Sequence, residues 1–178
     1  MWQWLKAPEM NMNANLDFED MLTLLNKHEV RYLIVGGLAF IFHAKPRYTK
    51  DMDLWVEGSD ANILLANNAL VEFGCPNVLD YNNPKQVLQI GLPPNRIDIL
   101  IDMEYLSFDE AWAHRICAHY GSIKANWIDA ESLFKIKSSI DAPRHQEDAR
   151  VLREVLRLKR HDGKSGDLGS QGRSHNSC

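Results

Sequence analysis

Two carboxylates two residues apart, Asp51 and Asp53, stand in the run DMDLWV, whose alternation reads as a β-strand. In a strand, residues i and i+2 share a face, so the two acids can share a cation. Acids set among Met52, Leu54 and Val56 cost a fold on the order of several kcal/mol unless an opposite charge compensates them. A divalent metal ion supplies that charge, and phosphate oxygens can complete its shell. A third acid, Asp98, lies in RIDILID, where Ile97, Ile99 and Ile101 alternate with Asp98, Leu100 and Asp102. Asp98 thus projects opposite the isoleucines from mid-strand, an unusual place for an acid, whereas Asp102 falls at the strand end, where solvated acids are common. Upstream, Gly36-Gly37 stops the apolar run Val30 to Val35 and opens a helical segment, Leu38 to His43. Bare N–H groups and a helix dipole at such a point can face an anion, and the same pair read alone is also an ordinary tight turn.

Three carboxylates from two strands could hold two Mg²⁺ ions, and the glycine turn could take the terminal phosphates of a nucleoside triphosphate. That constellation suits in-line nucleotidyl transfer, in which metals clamp the phosphates and lower the pKa of an attacking hydroxyl. Asp98, bound to one metal only, is then the natural general base. Lys45, Arg47 and Lys50 place three cations just before the second strand. They could neutralise triphosphate oxygens or simply solvate a loop. Thr49 by itself is uncommitted.

The elements that must position these residues follow from periodicity. A helix is expected from Asn15 to His28, with Asp17 as N-cap and Phe18, Met21, Leu22 and Leu25 inward. Pro46 ends the helix that begins at the glycines. Asp60 would cap a helix over 61–73 with Ile63, Leu64, Leu70 and Val71 as its apolar stripe and Gly74 closing it. Strands over 87–92 and 96–101 form a hairpin, Phe108 to Ala118 reads as a helix with Trp112 and Ile116 inward, and 121–128 as a last strand. A helix from Asp129 or Ala130 to Ile140 is broken at Asp141-Ala142-Pro143, and a final helix spans 144–160. That helix carries six basic residues against three acidic ones. It could contact a nucleic acid or an acidic partner, or present a solvated face. The fold expected is α/β, a small mixed sheet flanked by helices with helical C-terminal additions. Residues 1–14 form an unassigned extension, 15–160 one domain, and the Gly- and Ser-rich 161–178 a disordered tail.

The totals narrow the function classes. With 178 residues, 45% hydrophobic and 25% charged, the chain has the make-up of a soluble globular domain, and a net charge of −4 argues against bulk electrostatic coating of nucleic acid. Cys75, Cys117 and Cys178 are widely spaced and odd in number, so a reducing compartment is the simpler expectation. No window approaches the roughly 18 apolar residues of a spanning helix, so a cytoplasmic protein with no membrane partner is expected. No G-x-x-x-x-G-K-[ST] loop or G-x-S-x-G elbow occurs. The histidines lack an H-x-x-x-H pair backed by an acid, so His43 is expected to be a helix-end hydrogen-bonding residue rather than a ligand.

The stretch VGGLAFIFHAKPRYTKDMDLWV resembles the G-[GS] then D-x-D signature of the DNA polymerase β-like nucleotidyltransferase superfamily, and PPNRIDILID resembles its third-carboxylate strand. The likeness is strongest to small bacterial nucleotidyltransferases often met in toxin-antitoxin and abortive-infection pairs, and it extends over roughly residues 16 to 158. It implies a nucleotidyltransferase fold and a Mg²⁺-dependent transfer of an NMP from an NTP to a hydroxyl of RNA or protein, within reach of a cognate toxin or antitoxin partner. A noncatalytic nucleotide-binding protein that acts by complex formation is the alternative. The resemblance also implies triphosphate binding at Gly36 and Gly37, nucleotide contacts from the R-x-T-x-D-x-D run (Arg47, Thr49, and the intervening Lys50), and metal binding at Asp51, Asp53 and Asp98. Lys137 matches a lysine often placed near the triphosphate. The sequence departs from the family pattern at His43-Ala44, where His-Gly is common. The late R-x-x-D-x-x-D pattern is only partly kept, with Arg144, Glu147 and Arg150 in that register.

Overall fold

Tyr32–Val35 (β1) is apolar at every position and buried on both faces, which suits a strand at the middle of a sheet. In a computed structural model of the chain, which describes residues 16–165, β1 lies inside a six-stranded mixed sheet. The other strands are Asp51–Val56 (β2), Val87–Ile90 (β3), Arg96–Leu100 (β4), Ile116–Tyr120 (β5) and Ile123–Trp127 (β6), in the order β3-β4-β2-β1-β6-β5. β1 is antiparallel to β2 and parallel to β6, and β2 is parallel to β4. The expected α/β architecture is therefore present, with its most apolar strands central and the hairpin strands β3 and β5 at the edges.

Six helices accompany the sheet: Leu16–Lys27 (α1), Gly36–His43 (α2), Asp60–Phe73 (α3), Phe108–Ala113 (α4), Ala130–Ser139 (α5) and Pro143–Ser165 (α6). α1 packs on α3, whereas α2, α5 and α6 pack on one another. Phe18, Met21, Leu22 and Leu25 of α1 are buried as their spacing requires. Trp55, Trp127, Tyr32 and Phe40 are the largest fully buried side chains, and Phe42 stacks on Trp127 with ring centroids 4.6 Å apart. His43 donates to the Ile128 carbonyl at 2.7 Å, the helix-end bond expected of it.

Several local expectations need correction. The helix expected to reach Ala118 ends at Ala113, and Ile116–Tyr120 is a strand paired antiparallel with β6. Ile116, Ala118 and Tyr120 alternate with Cys117 and His119, a period of two, and Gly121 at φ +55° makes the turn back. α3 is capped by Ser59, whose hydroxyl accepts from Asn62 N–H, and not by Asp60. Leu64 and Val71 are 62% and 65% exposed, because its buried stripe runs through Ile63, Ala66 and Leu70 instead. Pro143 is the first residue of α6, where its missing N–H costs nothing. α6 continues to Ser165, into the stretch expected as tail; the rest of that tail and the N-terminal extension lie outside the described residues. Among the described residues no helix is long and apolar enough to cross a membrane.

Asp129 caps α5, its carboxylate accepting from the N–H groups of Glu131 at 2.9 Å and Ser132 at 3.0 Å. Asp129→Ala is expected to lower stability by about 1 kcal/mol in urea unfolding, and an unchanged midpoint would show that the cap contributes little.

Candidate active site

Strand pairing brings the three acids together. The parallel register of β2 and β4 sets Asp53 beside Asp98 and Asp51 beside Arg96, and antiparallel β1 sets Val35 beside Asp53. Met52, Leu54 and Val56 are buried on one face of β2, which leaves Asp51 and Asp53 half-buried on the other. The glycine turn follows Val35 and so meets the Asp53 carboxylate. Gly36 has φ +62°, and a Cβ there would stand 1.9 Å from Asp53 Oδ2. Both conditions demand glycine. Gly37 N–H points at the same oxygen from 3.4 Å, and a Cβ on Gly37 would come within 2.5 Å of Thr49 Oγ1. The Thr49 hydroxyl in turn donates to Asp51 Oδ1 at 3.1 Å.

The electrostatics are unevenly settled. Arg96 Nη2 donates to Asp51 Oδ2 at 2.6 Å and to Asp98 Oδ2 at 2.8 Å. Asp98 is buried, and its Oδ1 has no hydrogen-bond partner. Asp53 has no guanidinium contact: burial, then the charge of Asp51, pushes its carboxyl up to about 6.

A second charged cluster borders the first. Asp148 of α6, 4% exposed, accepts at Oδ2 from Arg47 Nη2 at 3.0 Å and lies 3.2 Å from Lys137 Nζ. Burial pushes the Lys137 ammonium down from its usual range, and the Asp148 charge opposes that shift. Arg47 also lies over the Phe40 ring, 4.9 Å from its centroid. Glu147 and Arg150, placed by the late pattern, pair with each other at the surface instead. The acid directed to the site is one residue later.

A cavity of about 310 Å³ opens between the clusters. Gly36, Gly37, Arg47, Thr49, Asp51 and Asp53 form part of its wall, and Lys137, Arg144 and His145 another part. Leu133, Ile136 and Leu100 supply an apolar side. Lys50 is exposed and does not line it. Sequence reasoning misses Arg96 and Asp148. The R-x-D spacing in β4 is the signal that could find Arg96, since i and i+2 share a face.

Three carboxylates make an all-oxygen donor set suited to a hard divalent cation, and the unpaired Asp98 Oδ1 is a buried acceptor such an ion would satisfy. Among the described residues, no three His, Cys, Asp or Glu side chains are gathered as a ready-made metal cage. Arg96 stands between two of the three acids.

No protein-family model matches the chain, and no curated protein matches it. Among solved structures, it is similar to a crystal structure of ANT(2″)-Ia in complex with adenylyl-2″-tobramycin, at 15% identity over 83% of this chain and 95% of the other, with a TM-score of 0.49. The solution structure of the antibiotic-resistance factor ANT(2″)-Ia matches at 14% identity over 84% of this chain and 90% of the other, TM-score 0.49. An antigenic nucleotidyltransferase-like protein from Paracoccidioides brasiliensis matches at 13% over 80% and 76%, TM-score 0.47. At these identities and TM-scores the likeness carries no argument about this chain's chemistry.

A carboxyl raised from 3.8 to about 6 in the fold binds more protons than the unfolded chain between those values, so stability falls as pH rises through that window. With a chelator present, Asp53→Asn is expected to be more stable than the wild type at pH 7 by up to about 3 kcal/mol, an advantage that vanishes below about pH 4. Parallel stability profiles across that window would show that Asp53 does not carry this effect.

Proposed function

We propose that this chain is a metal-dependent nucleotidyltransferase that moves an NMP from an NTP to a hydroxyl acceptor, an RNA 3′ end or a protein side chain. The observation that carries the reading is the meeting of Asp51, Asp53 and Asp98 on adjacent strands, with Gly36 fitted against Asp53. Asp51, Asp53 and Asp98 would hold Mg²⁺, two ions in the full site, and the bound metal would neutralise charge developing on the phosphates. Gly36 and Gly37 open α2 and bring backbone close to the cavity, where an anion finds the positive end of a helix. Arg47 and Lys137, held by Asp148, place two cations on the same cavity for the remaining phosphate charge. Asp98, which meets Asp53 across the strands but does not itself line the cavity, would serve as general base through the carboxylate oxygen that the ion leaves free. The apolar side formed by Leu100, Leu133 and Ile136 suits a nucleobase or ribose face.

The resemblance of the stretch Val35 to Val56 to toxin-antitoxin nucleotidyltransferases supports a cognate protein partner. A second reading, a noncatalytic nucleotide-binding partner protein, is favoured by one observation: Arg96 already pairs with two of the acids.

The test is label transfer from each of four α-labelled NTPs to total RNA or a co-expressed partner. Asp51→Ala and Asp53→Ala are each expected to lower transfer at least about 100-fold with the fold retained by circular dichroism. Transfer that persists in both variants sinks the proposal. Nucleotide binding by the wild type without transfer to any acceptor establishes the noncatalytic reading.

A further inference from the structure

The acids of the site do not stand alone, because β4 brings its own cation. Arg96 is placed twice over: it is the register partner of Asp51 on β2 and stands two residues before Asp98 on β4. Its guanidinium lies where both carboxylates converge, and one nitrogen, Nη2, makes both bonds, at 2.6 and 2.8 Å. We propose that Arg96 is the resident counter-ion of the carboxylate site and exchanges with the divalent cation: the guanidinium bridges Asp51 and Asp98 in the metal-free protein, and metal entry displaces it. This rests on the reading of Asp51, Asp53 and Asp98 as metal ligands.

Three features favour exchange over a fixed structural ion pair. The bonds share a single donor atom, so one side-chain rotation frees both acids together. The pair is polar-incomplete, since Asp98 Oδ1 and Arg96 Nε are both buried without partners. A settled structural bridge would satisfy them. The Arg96 side chain is also 28% exposed, so it has solvent on one side into which to turn, unlike Asp98 at 10%. Without Arg96, three carboxylates would crowd one end of the sheet with no cation among them. With it, the site stays assembled until a metal ion arrives.

The probe is Mn²⁺, titrated into the full chain and followed by the electron paramagnetic resonance signal of the free ion. Wild type, Arg96→Met and Arg96→Lys are compared, with Asp53→Asn added to Arg96→Met as the check that the bound ion sits at the carboxylates. Arg96→Met is expected to bind Mn²⁺ about tenfold more tightly than the wild type, with Arg96→Lys between them. Adding Asp53→Asn is expected to abolish that gain, and a gain that survives it places the ion elsewhere and overturns the exchange. Saturating Mn²⁺ is expected to raise the melting temperature of Arg96→Met more than that of the wild type, because the ion takes over the neutralisation that the guanidinium supplied. Equal or weaker Mn²⁺ binding in both variants overturns the exchange and leaves the metal reading standing. Absence of Mn²⁺ binding in all of the proteins overturns the metal reading and the exchange with it. Should Arg96→Met fail to fold, Arg96→Lys decides by the same comparison.

Discussion

The adjacency of Asp53 and Asp98 across parallel strands is the constraint around which this end of the molecule is built. Like charges brought side by side and half removed from water repel, and a fold tolerates them only with nearby compensation. Compensation comes in two forms. Arg96 spans Asp51 and Asp98, and Asp53 retains its proton more readily than an ordinary carboxyl. Neither is a packing solution. Both keep the acids present at an energetic cost, which is the usual mark of groups retained for chemistry.

The helices on the cavity side answer the opposite sign. Lys137 on α5 and Arg47 before β2 are cations with little access to water, and Asp148 on α6 serves both through one oxygen. A single buried acid thus ties together three separated parts of the chain. Losing it would leave two charges without a close partner, a heavier cost than the loss of any surface pair on α6.

Much of this is legible in the residues themselves. The alternation in DMDLWV and RIDILID puts Asp51, Asp53 and Asp98 on strand faces, and the glycines mark the turn that meets them. What periodicity does not reach is register. Nothing local in β4 says that Arg96 will stand beside Asp51, because that depends on how two strands distant in sequence align. Asp148 is hidden for a related reason: on a long polar helix, only contact with α5 and Arg47 distinguishes it from neighbouring Glu147. β5 reads as helix because Phe108 to Ala113 is a helix with a capping box, and its pattern runs on past its end.

The fit of Gly36 beneath Asp53 has a consequence for how such a chain can change over time. With 1.9 Å between a prospective Cβ and the carboxylate oxygen, each of the two positions limits what the other can hold. A lineage that gives up the acid for alanine relieves the contacts with the carboxylate, while the Cβ of residue 53 stays 2.9 Å away and the positive φ remains. A lineage that first loses the glycine has no room for the acid. Decay of the site therefore has a preferred order, beginning at residue 53.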